Sequence, residues 1–298
     1  KSRISGISDI FASSIIKGVQ LNCKFRGIIN KLVMTNILVP IGTSADAHET
    51  LQYAIDFASD FGGNIYVMEV FNVIAKTGTL ANVTEKIAKK GKERLKEVIS
   101  KVDAKSIDLK VVTYNGELVD GLNDLNKEMG IDLIILATRS HDIREELYLG
   151  TTSGGIIKRT DIPTLVVPRG TSYTSFKNIL VAFKSGILKR KRILDPLTTI
   201  SNKHKSNVNL LMVKTPGYSD DDLRVNTALM DMSSQLTITE NATTYQGVLE
   251  HFRSQKPDLL CVFRRKRGFF KKLWEKSTIL KEEFSAPVPV LILSVKKD

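Results

Sequence analysis

The chain has 298 residues and a formal net charge of +12, with 42% hydrophobic and 26% charged residues. These are the proportions of an ordinary globular protein, with length enough for two domains. No apolar run approaches the ~18 residues of a membrane span, and two cysteines with four scattered histidines give neither a disulfide framework nor a zinc-ligand spacing, so a soluble cytoplasmic protein without a membrane partner is expected.

Residues 1–33 carry Lys1, Arg3, Lys17, Lys24, Arg26 and Lys31 against Asp9 alone. Ile7, Ile10, Phe11, Ile15 and Ile16 give this stretch a loosely helical apolar stripe, and it is expected to be an extension outside the fold. Met34-Thr35-Asn36 then opens a regular alternation. Ile37–Ile41 is a short buried strand, and Gly42 turns out of it toward a helix with Leu51, Ala54, Ile55 and Ala58 inward, capped by Ser44 or Asp46 and ended by Gly62-Gly63. Residues 64–70 form a second strand. Residues 86–102 form a charged amphipathic helix burying Ile87, Leu95, Val98 and Ile99. Residues 109–114 form a third strand, and Asn115-Gly116-Glu117 turns into a helix using Leu118, Leu122 and Leu125. Ile131–Leu136 is an apolar run of the kind buried on both faces of a parallel sheet. After a loop, Gly150-Thr151-Thr152-Ser153-Gly154-Gly155 leads into a helix at Ile156, and Asp161-Ile162-Pro163 stops it before a last strand at 164–167. Small residues opening a helix leave backbone N–H groups free to face an anion.

Strand–helix alternation of this kind specifies an open, mostly parallel α/β sheet with right-handed crossovers, and ligands sit beyond the carboxyl ends of such strands. Residues 169–176 read as a polar linker, after which the pattern restarts. Lys177–Phe183 repeats Thr35–Ile41, and 207–213 repeats the second strand. Tyr245–Leu249 matches Tyr114–Leu118, 257–262 the fourth strand, and 286–293 the Pro-then-strand ending. Five landmarks in one order indicate an internal duplication.

The N-I-L-V opening of each half, the D-L-I-I-L strand, and Gly150-Thr151 followed by a helix and I-P-T-L-V-V resemble the universal stress protein family in its tandem form, over roughly residues 34–295. The resemblance implies two repeated open, mostly parallel five-stranded sheets flanked by helices, a Rossmann-like arrangement. It divides the chain into a first domain at 34–168, a linker at 169–176 and a second, degenerate domain at 177–298. It also implies that the last strands of the two repeats, 164–167 and 290–293, pair with one another or between subunits. Some members of that family bind ATP through G-x2-G-x9-G-[ST], with an Asp at the end of the first strand; others bind no nucleotide. Here Gly150 and Thr151 match the end of the pattern, while Ser140 and Ala137 stand at its two earlier glycines and Gly42 at the Asp. Thr138, Arg139 and His141 can reach an anion from the loop, and Thr152 and Ser153 continue the helix entry. The candidate binding residues are therefore Gly42, Ala137, Thr138, Arg139, Ser140, Gly150, Thr151, Thr152 and Ser153. Their expected ligand is ATP or another adenine nucleotide, held weakly.

In the second half Lys276-Ser277 stands at the Gly-Thr position, Phe263 and Lys266 at the earlier glycines, and Lys184 at the Asp. No nucleotide site is expected there. The Arg264–Arg267 run reads as a solvated face, with no recognised nucleic-acid module beside it, and Phe269, Phe270, Leu273 and Trp274 read as core or interface. No nucleophile elbow, Walker loop, metal cluster or other catalytic constellation appears, so no enzyme is expected. Two functions remain: a stress-response binding and signalling protein with a degenerate phosphate or nucleotide site in its first half, or a nucleotide-free scaffold acting through dimerisation or a protein partner.

Overall fold

The computed structural model describes residues 4–5, 34–42, 44, 46–71, 80–138, 147–188, 190–265, 279–280 and 284–295. The chain forms two compact units, Lys1–Ile131 and Asp132–Asp298, so the strands expected for the first repeat fall on both sides of that boundary.

In the first unit β1 (Ile4–Ser5), β2 (Asn36–Pro40), β3 (Asn64–Phe71) and β4 (Leu109–Asn115) stand in the order β1-β4-β3-β2. The last three are parallel, and β1 adds to the β4 edge in antiparallel register, Ile4 opposite Tyr114. The crossovers are α1 (Ala47–Phe61), α2 (Leu80–Ser100) and α3 (Leu118–Met129). Helix α1 ends where expected: Gly62 is left-handed and its N–H bonds the Ala58 carbonyl, a conformation glycine adopts without a Cβ penalty. Its start differs from expectation. Asp46 occupies the N-cap position but does not cap through its side chain; the backbone carbonyls of Asp46 and Ser44 accept from Glu49 and Ala47. Helix α2 begins at residue 80 rather than 86. In α3 the buried side is Val119, Leu122 and Leu125, with Leu118 only half-buried, because the helix starts at 118 and its inward stripe begins one residue later.

The second unit contains β5 (Leu133–Ala137), β6 (Leu147–Leu149), β7 (Thr164–Val167), β8 (Asn178–Phe183), β9 (Asn207–Lys214), β10 (Gln235–Glu240), β11 (Leu259–Arg265), β12 (Ile279–Leu280) and β13 (Val290–Val295). Its main sheet runs β5-β7-β13-β11-β8-β9-β10. Every pairing is parallel except β7 with β13, where Val166 faces Val290 and Leu165 faces Leu291. The strands expected to end the two repeats are thus paired within one chain. A separate antiparallel pair joins β6, inside the expected loop, to β12. The helices are α4 (Thr151–Arg159), α5 (Asp195–His204), α6 (Thr227–Asp231) and α7 (Thr244–Gln255).

Two features of this unit depart from the sequence reading. Tyr245 lies in the first turn of α7, whereas Tyr114 lies in β4, so the Tyr-x-Gly match is out of register. The true counterpart of β4 is β10, whose short polar sequence QLTITE hides it. The expected linker at 169–176 is anchored at its end: Phe176 is buried, its N–H bonds His204 Nδ1 at 3.0 Å, and its carbonyl accepts from Ser206 Oγ at 2.6 Å.

Candidate functional site

Helix α4 sets the geometry of the phosphate-loop candidates. Gly150 is its N-cap, buried and extended (φ −76°, ψ 175°), and no side chain caps the helix there. Gly154 and Gly155 are not a preceding turn, as the sequence suggested, but the fourth and fifth residues of the helix itself. The first turn holds no acidic residue; Thr151 and Thr152 are exposed and Ser153 is half-buried. The N–H groups of a first turn have no partner within the helix and carry the positive end of its dipole. Buried Ile156 and Ile157 fix the opposite side in the core, and Lys158 and Arg159 in the last turn complement the negative end. Chemically, such an entry can hold an oxyanion.

The remaining candidates are placed differently. Ala137 is the last residue of β5, half-buried. Thr138 follows it, buried, its N–H bonded to the Val167 carbonyl and its hydroxyl accepting from the Arg169 N–H at 3.3 Å. Gly42 belongs to the first unit, exposed just past β2, and a Cβ there would meet nothing within 4 Å. Arg139, Ser140 and His141 lie outside the described residues. So Gly150–Ser153 form one continuous entry, and Ala137 and Thr138 mark a strand end. Gly42 offers no carboxylate.

The basic run of the second half proves to be structural where it is described. Arg264, at the end of β11, has a side chain only 12% exposed. Its Nη1 lies 3.1 Å from the Lys158 carbonyl, and its Nη2 lies 2.6 Å from the Thr160 carbonyl, 2.8 Å from Asp161 Oδ1 and 2.6 Å from Ser294 Oγ. Ser294 Oγ also donates to Asp161 Oδ1 at 2.8 Å. Arg265 donates to the carbonyls of Ser185 and Ile187 at 2.8 and 2.7 Å, fixing the turn after β8. The expected solvated face is therefore corrected for both residues: successive residues of a strand point to opposite sides, and here each side offers carbonyl acceptors. Lys184 sits half-buried past β8, and Phe263 is buried against Phe183. Lys266, Arg267, Phe269, Phe270, Leu273, Trp274, Lys276 and Ser277 lie outside the described residues.

Sequence reasoning also passed over Glu69, a carboxylate inside the apolar strand NIYVMEVF. It is 4% exposed and paired with Arg94 of α2, and its second oxygen has no hydrogen-bond partner among the described residues. Burial pushes its pKa above the ordinary 4.5, against the opposing pull of Arg94. For an acid whose folded pKa is raised, the ionised form is the one folding disfavours; stability from this group is gained as pH falls from neutral through the folded value. Glu69→Gln keeps an acceptor for Arg94, whose own side chain is 40% exposed and stays hydrated, so it should match or exceed the parent at pH 7. The difference should shrink on acidification, as read by urea midpoints at two pH values; a variant equally destabilised at both would show that the charge is needed.

A cleft of about 480 Å³ opens at the carboxyl ends of β9 and β10, lined by Lys214–Tyr218 and Glu240–Ala242. Its charges serve one another: Lys214 Nζ is 3.6 Å from Glu240 and 5.1 Å from the centre of the Tyr218 ring. Among the described residues no three His, Cys, Asp or Glu side chains gather to hold a metal, and no helix is long and apolar enough to cross a membrane. Cys261 is buried, which raises its thiol pKa away from reactivity.

Residues 34–168 match the model of the universal stress protein family. A universal stress protein of Methanocaldococcus jannaschii is 24% identical over 138 residues, 45% of this chain and 81% of that protein. In fold, a universal stress protein from Archaeoglobus fulgidus superposes with a TM-score of 0.68 at 19% identity, over 88% of this chain and 99% of that one. A functionally unknown protein from Pseudomonas aeruginosa PAO1 superposes with a TM-score of 0.54 at 12% identity, over 89% and 94%. The N-I-L-V strand, the D-L-I-I-L strand and the Gly150-Thr151 helix entry all fall within the matched span, so residues 34–168 are the part of the chain that carries the match to the universal stress protein family.

Proposed function

We propose that this chain is a stress-response binding protein that works without catalysis and takes the phosphate of a small ligand, in the first instance an adenine nucleotide held weakly, at the entry of α4. The carrying observation is that entry itself: a buried Gly150 as N-cap, no side-chain cap, exposed Thr151 and Thr152, and no acid in the first turn. Oxyanions are favoured at such a position by the free N–H groups and the helix dipole. When bound, the nucleotide would supply phosphate oxygens to those donors; affinity is expected to be low because Ala137 and Ser140 stand where the family's pattern has glycines. The landmarks of 177–298, together with the lost glycines, favour a tandem whose second repeat has no such site.

Calorimetry and thermal melts with ATP, ADP, AMP and inorganic phosphate test this reading. Millimolar nucleotide should raise the melting temperature of the parent. Thr151→Glu places a carboxylate where the anion would sit, on an exposed position that the helix dipole favours, and should abolish the response without loss of stability. No heat and no shift with any nucleotide would reject the site. The nucleotide-free scaffold is the second reading, favoured by the structural use of Arg264 and Arg265 and by the engaged Thr138 hydroxyl. Recovery of tightly bound nucleotide from the purified chain would reject that alternative.

A further inference from the structure

The two units treat their outer parallel strand differently. In the first, β4 is covered by β1, and the crossover from β3 to β4 is the 21-residue α2. In the second, β10 pairs with β9 on one side and, among the described residues, with nothing on the other. The crossover from β9 to β10 contains only a four-residue 3₁₀ turn at Asp220–Leu223 and the five-residue α6. Leu229 of α6 is buried, but the helix is too short to cover the strand beyond. Ile238 in the middle of β10 is left 51% exposed and Met230 of α6 42% exposed.

Soluble proteins usually blunt an exposed edge with Lys, Pro, a bulge or a covering segment, because its unpaired N–H and C=O groups template another strand. The sequence QLTITE has none of the first two, and its register with β9 is unbroken from Gln235 to Glu240. The one charge, Glu240, is turned toward Lys214. The edge is also self-complementary. Antiparallel pairing of two copies about a twofold axis at Ile238 sets Ile238 against Ile238 of the partner subunit and Thr237 against Thr239 of the partner subunit. Leu236 then faces Glu240 of the partner subunit. Side chains directly opposite share a face in that register, β-branched pairs meet across it, and no like charges are opposed.

We propose that β10 is a self-association edge through which two copies of this chain join their sheets by antiparallel β10 pairing. A six-residue edge with one apolar residue at its centre is small by the standard of stable interfaces, so the dimer forms reversibly. The inference is independent of whether α4 takes an anion.

The test is sedimentation of the intact chain over a concentration series, with hydrogen exchange of the Leu236–Thr239 amides alongside. The expected result is a monomer–dimer equilibrium in which the alternate amides of this stretch that point away from β9 exchange on dilution and become protected as dimer forms. Ile238→Lys should remove the dimer with an unchanged thermal melt. Leu249→Lys, at a 50% exposed position on α7 rather than on the edge, should keep it. A monomer at every concentration overturns the proposal, as does a dimer unaffected by Ile238→Lys. Protection of those outward amides equally at all dilutions would mean that a segment of the same chain covers the strand, and this too overturns it.

Discussion

Arg264→Ala is expected to lower the unfolding free energy of the second unit by about 3 kcal/mol, because a guanidinium only 12% exposed takes with it charge-assisted hydrogen bonds to two carbonyls, a hydroxyl and a carboxylate. Two N–H groups of Nη2 are shared among a carbonyl, a carboxylate and a hydroxyl, while Nη1 takes another carbonyl. Deleting the guanidinium leaves Asp161 beside Ser294 without its counter-charge. It also strips partners from the Lys158 and Thr160 carbonyls at the end of α4, where the helix has no donors of its own. Burial lowers the Arg264 pKa from its ordinary value, against the opposing pull of Asp161. Arg264→Lys should recover only part of the loss, since one ammonium cannot reproduce the planar fork. Arg224→Ala, which breaks an exposed i,i+3 pair with Asp221, should change stability by less than about 1 kcal/mol. Urea denaturation of the three variants separates these outcomes. If Arg264→Ala fell as little as Arg224→Ala, the network would not be structural.

The Arg264 network also shows where the sequence stops being informative. Strands and crossovers were legible because apolar runs such as ILVP, LIILA and LLCVF announce buried parallel strands, and Gly62 and Pro163 announce where helices stop. The Gly150-Thr151 entry was legible because its composition and its position after a buried strand restrict what the backbone can do. Arg264 and Arg265 were not, because four consecutive cations look like a solvated face until the strand they end is known to have carbonyls on both sides. Glu69 was hidden in the same way by an apolar strand whose partner, Arg94, lies 25 positions away. β10 escaped because its side chains are half-exposed and polar, and among the described residues no long helix covers the face that carries Ile238.

Among the helical glycines the same substitution should change sign with position, and the larger effect belongs to Gly121→Ala, a loss of about 2 kcal/mol from overpacking. A Cβ at Gly121 would stand 2.7 Å from Met68 Cε and 2.7 Å from Cγ and Cδ1 of Tyr114. The methionine end can swing aside, but Tyr114 Cγ sits next to its own backbone in β4, and the ring is buried with its hydroxyl 3.2 Å from Asp124. Gly247→Ala should behave alike: its Cβ would meet the two Val213 methyls at 2.8 and 2.9 Å, and Val213 is fully buried and β-branched. Gly155→Ala meets nothing within 4 Å and should gain about 0.5–1 kcal/mol from helix propensity alone. Urea midpoints of the three variants that moved in one direction would defeat the close-approach account. Gly121 and Gly247 are each the fourth residue of the helix that follows the outer parallel strand, pressed in one case on β3 and β4 and in the other on β9 and β10. The two units thus share a helix pressed so closely on its sheet that its fourth residue has no room for a side chain, a likeness closer than the tyrosine match.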